Sequence, residues 1–483
     1  MLIAAVLLPM ALGAILPLFR FRREGARSLY IMLSVLATSA LMLPLVFTGA
    51  PGRETLFQIT ETLPIAFKLD GAGRVFAGIV SMLWPLATLY GLEYMQKDAR
   101  KDTFFAFYII TYGVTLGIAC ASNLITLYLF YELLTLITLP LIMHGGSTRN
   151  IRAGLKYLYY SIGGAALVFI GLVYVIYYGG STEFVYGGLG AMTMGATAGS
   201  LRIGYMICFL GFGVKAAIFP LHTWLIEAAV APTPVTALLH AVAVVKSGVF
   251  AIIRATWFIF GPALLRGTYA QHIPLALASI TIVYGCTMAL KEQNIKRSLA
   301  YSTVSNLSYC ILGALLLTEG GLRSSLMHMV YHAVIKITLF LCAGMYLKKG
   351  IVYSQDMRGV HRATPEVSAI YLLGALSLTG LPPLLGFLSK WMLATSAIQQ
   401  GSRLALVGVA ALTISAVLTF FYLVLPGLTT YMGKPERAYA YRELSPGWKA
   451  LAPLAVLSVI ILVLSFWSAP IGSFFAYAAA GGL

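Results

Sequence analysis

The sequence predicts an all-α polytopic membrane protein of about fourteen transmembrane helices, and three observations predict it. The 483 residues are 59% hydrophobic and 10% charged, with a mean hydropathy of +0.87, which excludes a soluble globule and a disordered chain alike. Apolar runs of about 18 to 25 residues, the length that crosses a bilayer core, recur from one end of the chain to the other. Prolines interrupt one run in each half, Pro220 in the first and Pro382 with Pro383 in the second, and a helix deprived of amide donors breaks there.

In order, the runs fall near 2–19, 29–48, 72–95, 103–120, 122–143, 153–178 and 201–220, then near 235–260, 273–290, 296–318, 322–348, 367–395, 402–424 and 448–469. Residues 2–19 have no basic residue ahead of them, and Arg20, Arg22, Arg23 and Arg27 follow instead, so the run reads as a first span and not as a signal peptide. The proline punctuation suggests two inverted five-helix repeats, each with a broken helix, an arrangement found in transporters. It divides the chain into 1–102 with helices 1–3, a first repeat 103–260 with helices 4–8, a second repeat 261–424 with helices 9–13, and 425–483 with the last loop and helix 14.

The net charge of +17 admits two explanations, nucleic-acid binding or the bias of membrane proteins toward basic cytoplasmic loops, and its distribution decides. With the N-terminus outside, 21 of the 33 basic residues fall on internal loops, eight (Arg53, Lys68, Arg74, Arg202, Arg254, Arg266, Arg323, Arg403) fall on or near the outer side, and both termini are external. Nucleic acid is excluded as a partner. Four lysines belong to no loop: Lys215, Lys246, Lys336 and Lys390. Among the sixteen acids only Glu132 lies in the middle of an expected span.

A charge at bilayer depth costs about 3 kcal/mol on insertion scales, so it persists only where protein or water receives it. Snorkelling from a helix end is the bland alternative, and Lys215 and Lys336 lie too deep for it. His328, His332 and Lys336 fall at i, i+4 and i+8, which puts two imidazoles and an ammonium on one helix face, a chain of proton-exchangeable groups. His240 joins the candidates, with a hydrogen-bonded core histidine as its alternative reading. Between Lys215 and Lys246, Pro220, Pro232 and Pro234 expose backbone dipoles next to His222 and Glu227. The five cysteines are scattered through apolar runs without a CxxC or a histidine spacing, so a disulfide framework, zinc site or iron–sulfur cluster is not expected. The loop GGSTEFVYGGLGAMTMGATAGS has no preceding strand and no following lysine, and reads as an external connector, not a phosphate-binding loop. With no nucleophilic triad, paired carboxylates or metal-ligand spacing, the chain is expected to carry out no covalent chemistry itself and to bind no cofactor.

The segments FYELLT around Glu132, KAAIFPLHTWLIEA, APTPVTALLHAVAVVKSGVF, IKRSLAYSTVSNLSY, HMVYHAVIKITLFLCAG and LPPLLGFLSKW resemble a known family. It comprises the antiporter-like, proton-translocating subunits of respiratory complex I, of Mrp cation/proton antiporters and of membrane-bound energy-converting hydrogenases. The resemblance implies fourteen helices in two inverted repeats, a glutamate–lysine pair at Glu132 and Lys215, and a lateral relay through Lys246, His328, His332 and Lys336 to a terminal lysine at Lys390. It also implies neighbouring antiporter-like membrane subunits, peripheral redox subunits that hold the cofactors, and the cytoplasmic membrane of a prokaryote. The chain stops soon after the last span and so is similar to members without a long C-terminal lateral helix. The expected function is proton translocation in a redox-driven complex, with sodium or potassium exchange for protons in an Mrp-type assembly as the alternative.

Overall fold

Hydrocarbon offers no partner to a backbone amide, so each apolar run folds into a helix that satisfies its own hydrogen bonds. The computed structural model describes the chain except residues 20, 50–51, 61–62, 190–196, 434–445, 468 and 482–483. Arg20, Lys434, Arg437, Arg442 and the middle of the glycine-rich loop therefore lie outside the described residues. In the first half, α1 is Leu2–Ile15, α2 Glu24–Thr48, β1 Glu54–Thr60, β2 Leu63–Phe67, α3 Gly71–Tyr94, α4 Lys101–Ala119, α5 Leu124–Ile142, α6 Thr148–Tyr174, α7 Ala198–Lys215, α8 Thr223–Ala228, α9 Thr233–Ala241 and α10 Val244–Arg254. In the second half follow α11 Pro262–Leu265, α12 Tyr269–Lys291, α13 Ile295–Leu315, α14 Glu319–Lys348, α15 Pro365–Thr379, α16 Leu385–Gln400, α17 Arg403–Thr419, α18 Leu425–Thr429, α19 Trp448–Phe466 and α20 Ala469–Ala479.

Among the described residues ten helices are long and apolar enough to cross a membrane, and shorter apolar helices cover Leu2–Leu18 and Pro365–Thr379. The other expected spans are diluted by polar residues, as in the serine-rich α13, or divided by a break. The seventh run parts between α7 and α8 around Pro220, and the twelfth between α15 and α16 around Pro382 and Pro383. A third interruption was not expected: α9 ends at Ala241 and α10 begins at Val244, with Val242 and Ala243 outside helical geometry. The antiparallel hairpin β1–β2 and the terminal helix α20 are likewise additions to the predicted all-helical pattern.

The core is organised on α14, which is buried along nearly its whole length and touches α3, α9, α13, α15, α16, α19 and α20. A helix buried on every side needs neighbours on every side. Close approach of backbones is bought by glycine at one decisive point. A Cβ on Gly248 of α10 would stand 2.3 Å from the Ala216 amide nitrogen and 2.7 Å from the Lys215 carbonyl carbon.

Arg254, counted among the residues on or near the outer side, is fully buried at the end of α10. Its guanidinium donates to both oxygens of Asp70, at 2.5 and 2.7 Å, while Asp70 also accepts the Gly73 amide at the start of α3. The rings of Phe184, Phe250 and Phe258 stand 4.7 to 4.9 Å from the guanidinium carbon and complete its enclosure. Removing one partner of such a pair strands a buried charge, at a cost of about 3–5 kcal/mol, whereas removing both strands nothing. Arg254→Met alone is therefore expected to lower the thermal midpoint of the detergent-solubilised chain, and adding Asp70→Leu to restore part of the loss. Gly248→Ala is expected to lower the same midpoint, because the atoms its methyl meets are main chain and cannot turn aside.

Candidate functional site

The first cluster forms where α7 stops. Lys215 is its last residue, Ala217 adopts the left-handed backbone at φ +57°, and the chain turns through Pro220 before α8 begins. Amides freed by the turn find partners: Ile218 N donates to the Gly213 carbonyl, and Phe219 N to Thr281 Oγ1 on α12 at 3.1 Å. The Lys215 ammonium is enclosed. It donates to the Tyr131 carbonyl, lies 3.5 Å from the centre of the Tyr131 ring, and stands 4.0 Å from Glu132 Oε1. The two ends of this ion pair differ in surroundings, for the Lys215 side chain is 1% exposed and that of Glu132 26%. His222 is buried beside Phe219 and Tyr284, whereas Glu227 is exposed and tied to Lys156 at 2.5 Å.

The second cluster spans the interruption between α9 and α10 and the middle of α14. Lys246 Nζ is 2.9 Å from His332 Nδ1, and both side chains are fully buried. An ammonium has no lone pair and an imidazolium no free nitrogen, so this contact holds when one proton is shared between them and one of the two groups is neutral. One helical turn along α14, the His328 ring lies 6.0 Å from that of His332, and His328 Nδ1 meets Ser389 Oγ of α16 at 2.9 Å. One turn the other way, Lys336 Nζ donates to the Leu299 carbonyl of α13 at 2.9 Å. The three groups share the interior face that their spacing predicts. His240 sits close by with its ring 4.8 Å from Phe340, and neither of its ring nitrogens has a partner among the described residues.

The third cluster is at the second proline break. Lys390 of α16 reaches back across it and donates to the Leu378 and Thr379 carbonyls at the end of α15, at 2.6 and 3.0 Å. Tyr309 links it to the second cluster, with its ring 5.4 Å from Lys390 Nζ and 5.0 Å from the His328 ring. A cavity of 200 Å³ whose lining includes Glu292, Gln293 and Ser298 reaches Leu299, the residue whose carbonyl receives Lys336.

Two participants escaped the sequence reading. Lys296, assigned there to a loop, is buried and donates to the Ala231 carbonyl at 2.7 Å. Ser389, next to Lys390, carries no pattern of its own, and only the fold sets it against His328. No group of three or more histidine, cysteine or acidic residues is arranged to hold a metal ion among the described residues, and the five cysteines are buried singly.

Residues 121–419, which include all three clusters, match the family described as NADH:quinone oxidoreductase/Mrp antiporter, TM. NADH-quinone oxidoreductase subunit N of Desulforudis audaxviator is 29% identical over 90% of this chain and 89% of its own length. The chloroplastic NAD(P)H-quinone oxidoreductase subunit 5 of Ipomoea purpurea is 30% identical over 80% of this chain, which spans 57% of that longer protein. In fold, a chain of the membrane-bound sulfane sulfur reductase, an archaeal respiratory membrane complex, superposes with a TM-score of 0.87 at 19% identity, covering 99% of this chain and 97% of that one. The chain therefore belongs to the transmembrane family of NADH:quinone oxidoreductases and Mrp antiporters, as an antiporter-like, multi-pass membrane protein.

Proposed function

We propose that this chain translocates protons as a membrane subunit of a redox-driven complex, with Glu132 and Lys215 as the switching pair and Lys246, His332, His328, Lys336 and Lys390 as the relay. The observation that carries the reading is the contact of Lys246 with His332 at 2.9 Å inside an otherwise apolar core, which passes one proton between two buried bases without either leaving its place. Burial disfavours the Lys215 ammonium and the Glu132 carboxylate favours it, so displacing Glu132 decides whether Lys215 keeps its proton. The released proton then enters the relay, and the broken helices admit the water that connects it to either side. His240, beside Lys336 and His332, completes the polar axis. Residues 103–260 and 261–424 act as the two repeats, each with its own break, and both termini lie on the outer face of a prokaryotic cytoplasmic membrane.

Partner subunits hold the redox centres and supply the driving reaction, since the reading assigns no cofactor to this chain. Its similarity to a subunit of NADH-quinone oxidoreductase supports that assignment. The family also contains Mrp antiporters, which makes exchange of sodium or potassium for protons the second reading. The distinction is measurable in sealed vesicles: proton uptake that follows addition of the electron donor supports redox drive, whereas uptake set by a sodium gradient without any donor transfers the chain to the antiporter reading.

Variants of the pair test the mechanism in the assembled complex, with translocation normalised to the amount of complex and partner chemistry measured separately. Glu132→Ala is expected to abolish translocation, and Glu132→Asp, which keeps the charge on a shorter arm, to retain part of it. Lys215→Arg keeps a cation that does not release its proton near neutral pH, and little translocation is expected. If Lys215→Arg moves protons at the parent rate, proton release from Lys215 is no part of the cycle.

A further inference from the structure

Away from the lysine row, a cavity of 470 Å³ opens where three helices begin or end at the membrane surface, lined by Arg149, Arg152, Ile226, Glu227 and Arg297 among others. Arg149 and Arg152 lie three residues apart in the first two turns of α6, Glu227 is on α8, and Arg297 is in the first turn of α13. The one carboxylate in the lining is already taken, because Lys156 of α6 donates to Glu227 at 2.5 Å. Arg297 has a partner in Glu292 at 3.1 Å. Arg149 and Arg152 are exposed and have no ion-pair partner among the described residues. Lys296, next to Arg297 in the chain, is buried and turned away to the Ala231 carbonyl.

The bias toward basic residues on one side of a membrane accounts for arginines on loops, but it does not gather three of them around a concavity whose carboxylate is neutralised by a lysine. Guanidinium groups bind phosphate through paired N–H donors, and basic pockets between transmembrane helices take up anionic headgroups. We propose that this concavity is a binding site for a phosphate group, presented by the headgroup of an anionic phospholipid or by a soluble phosphate. Held by Arg149 and Arg152 of α6 and by Arg297 of α13, the phosphate braces α8, which the Lys156–Glu227 bond fastens to α6. It thereby steadies the segment between the first proline break and α9.

The test uses the full chain purified in detergent. Native mass spectrometry reads retention of added phosphatidylglycerol against phosphatidylcholine, and a thermal-shift measurement with inorganic phosphate runs in parallel. Phosphatidylglycerol is expected to be retained over phosphatidylcholine, and Arg149→Gln with Arg152→Gln to weaken that retention roughly twenty-five-fold, about fivefold per cation. Lys291→Gln, a surface cation outside the cavity, is expected to leave it unchanged, and an unaltered size-exclusion profile shows that each variant is folded. A phosphate-dependent thermal shift that the arginine pair abolishes, without selective lipid retention, assigns the site to a soluble anion. Equal phosphatidylglycerol retention and an equal phosphate response in the parent and the double variant overturn the proposal.

Discussion

A cation enclosed by protein inside a membrane must be received by something, and in this chain the receiver is mostly the main chain. Lys215, Lys296, Lys336 and Lys390 each donate to a backbone carbonyl, Lys246 meets the His332 ring, and Lys215 also stands 4.0 Å from the Glu132 carboxylate. A carbonyl differs from a carboxylate in one respect that matters for a group that exchanges protons. It accepts an N–H from the ammonium and from the neutral amine alike, so neither protonation state leaves a buried acceptor without its donor. A counter-ion for each lysine would hold the charge more firmly and release the proton less readily. The Arg254–Asp70 pair shows that other solution, bidentate and ringed by aromatics, with an arginine that keeps its proton.

The second proline break provides two of those carbonyls. At the end of α15 the last turn has no helical partners for its oxygens, and Lys390, reaching across the break, takes two of them. The partial negative charge at a helix C-terminus favours a cation there. Lys215 exploits the same end effect as the final residue of α7, with the Tyr131 carbonyl added from α5. At Lys390 the proline makes the break, the break frees the carbonyls, and the carbonyls receive the ammonium.

Much of this was legible in the sequence. Hydropathy located most helices to within about five residues, the prolines located two of the breaks, and the spacing of His328, His332 and Lys336 set them on one face. What escaped has a common cause. Arg254 and Lys296 lie near the ends of apolar runs, where counting assigns cations to loops, while their burial depends on partners remote in sequence, Asp70 and the Ala231 carbonyl. The interruption at Val242 and Ala243 contains neither proline nor glycine and is set by packing against neighbours, so no local signal marks it. The hairpin β1–β2 was hidden because a short alternating stretch between long apolar runs reads as a connector. The sequence singled out Glu132 and Lys215, but only the fold shows that one end of the pair is sealed and the other is 26% exposed.

The helix α14 has no break over its 30 residues, although its neighbours α9–α10 and α15–α16 are interrupted beside it. Four residues of an α-helix advance about 6 Å, so the groups on α14 are mounted like marks on a ruler whose divisions cannot stretch. The gap between His328 and His332 is thus fixed by backbone geometry and is the same in every conformation that keeps the helix. Lys246 and Ser389 meet its divisions from helices that begin just beyond an interruption, α10 and α16.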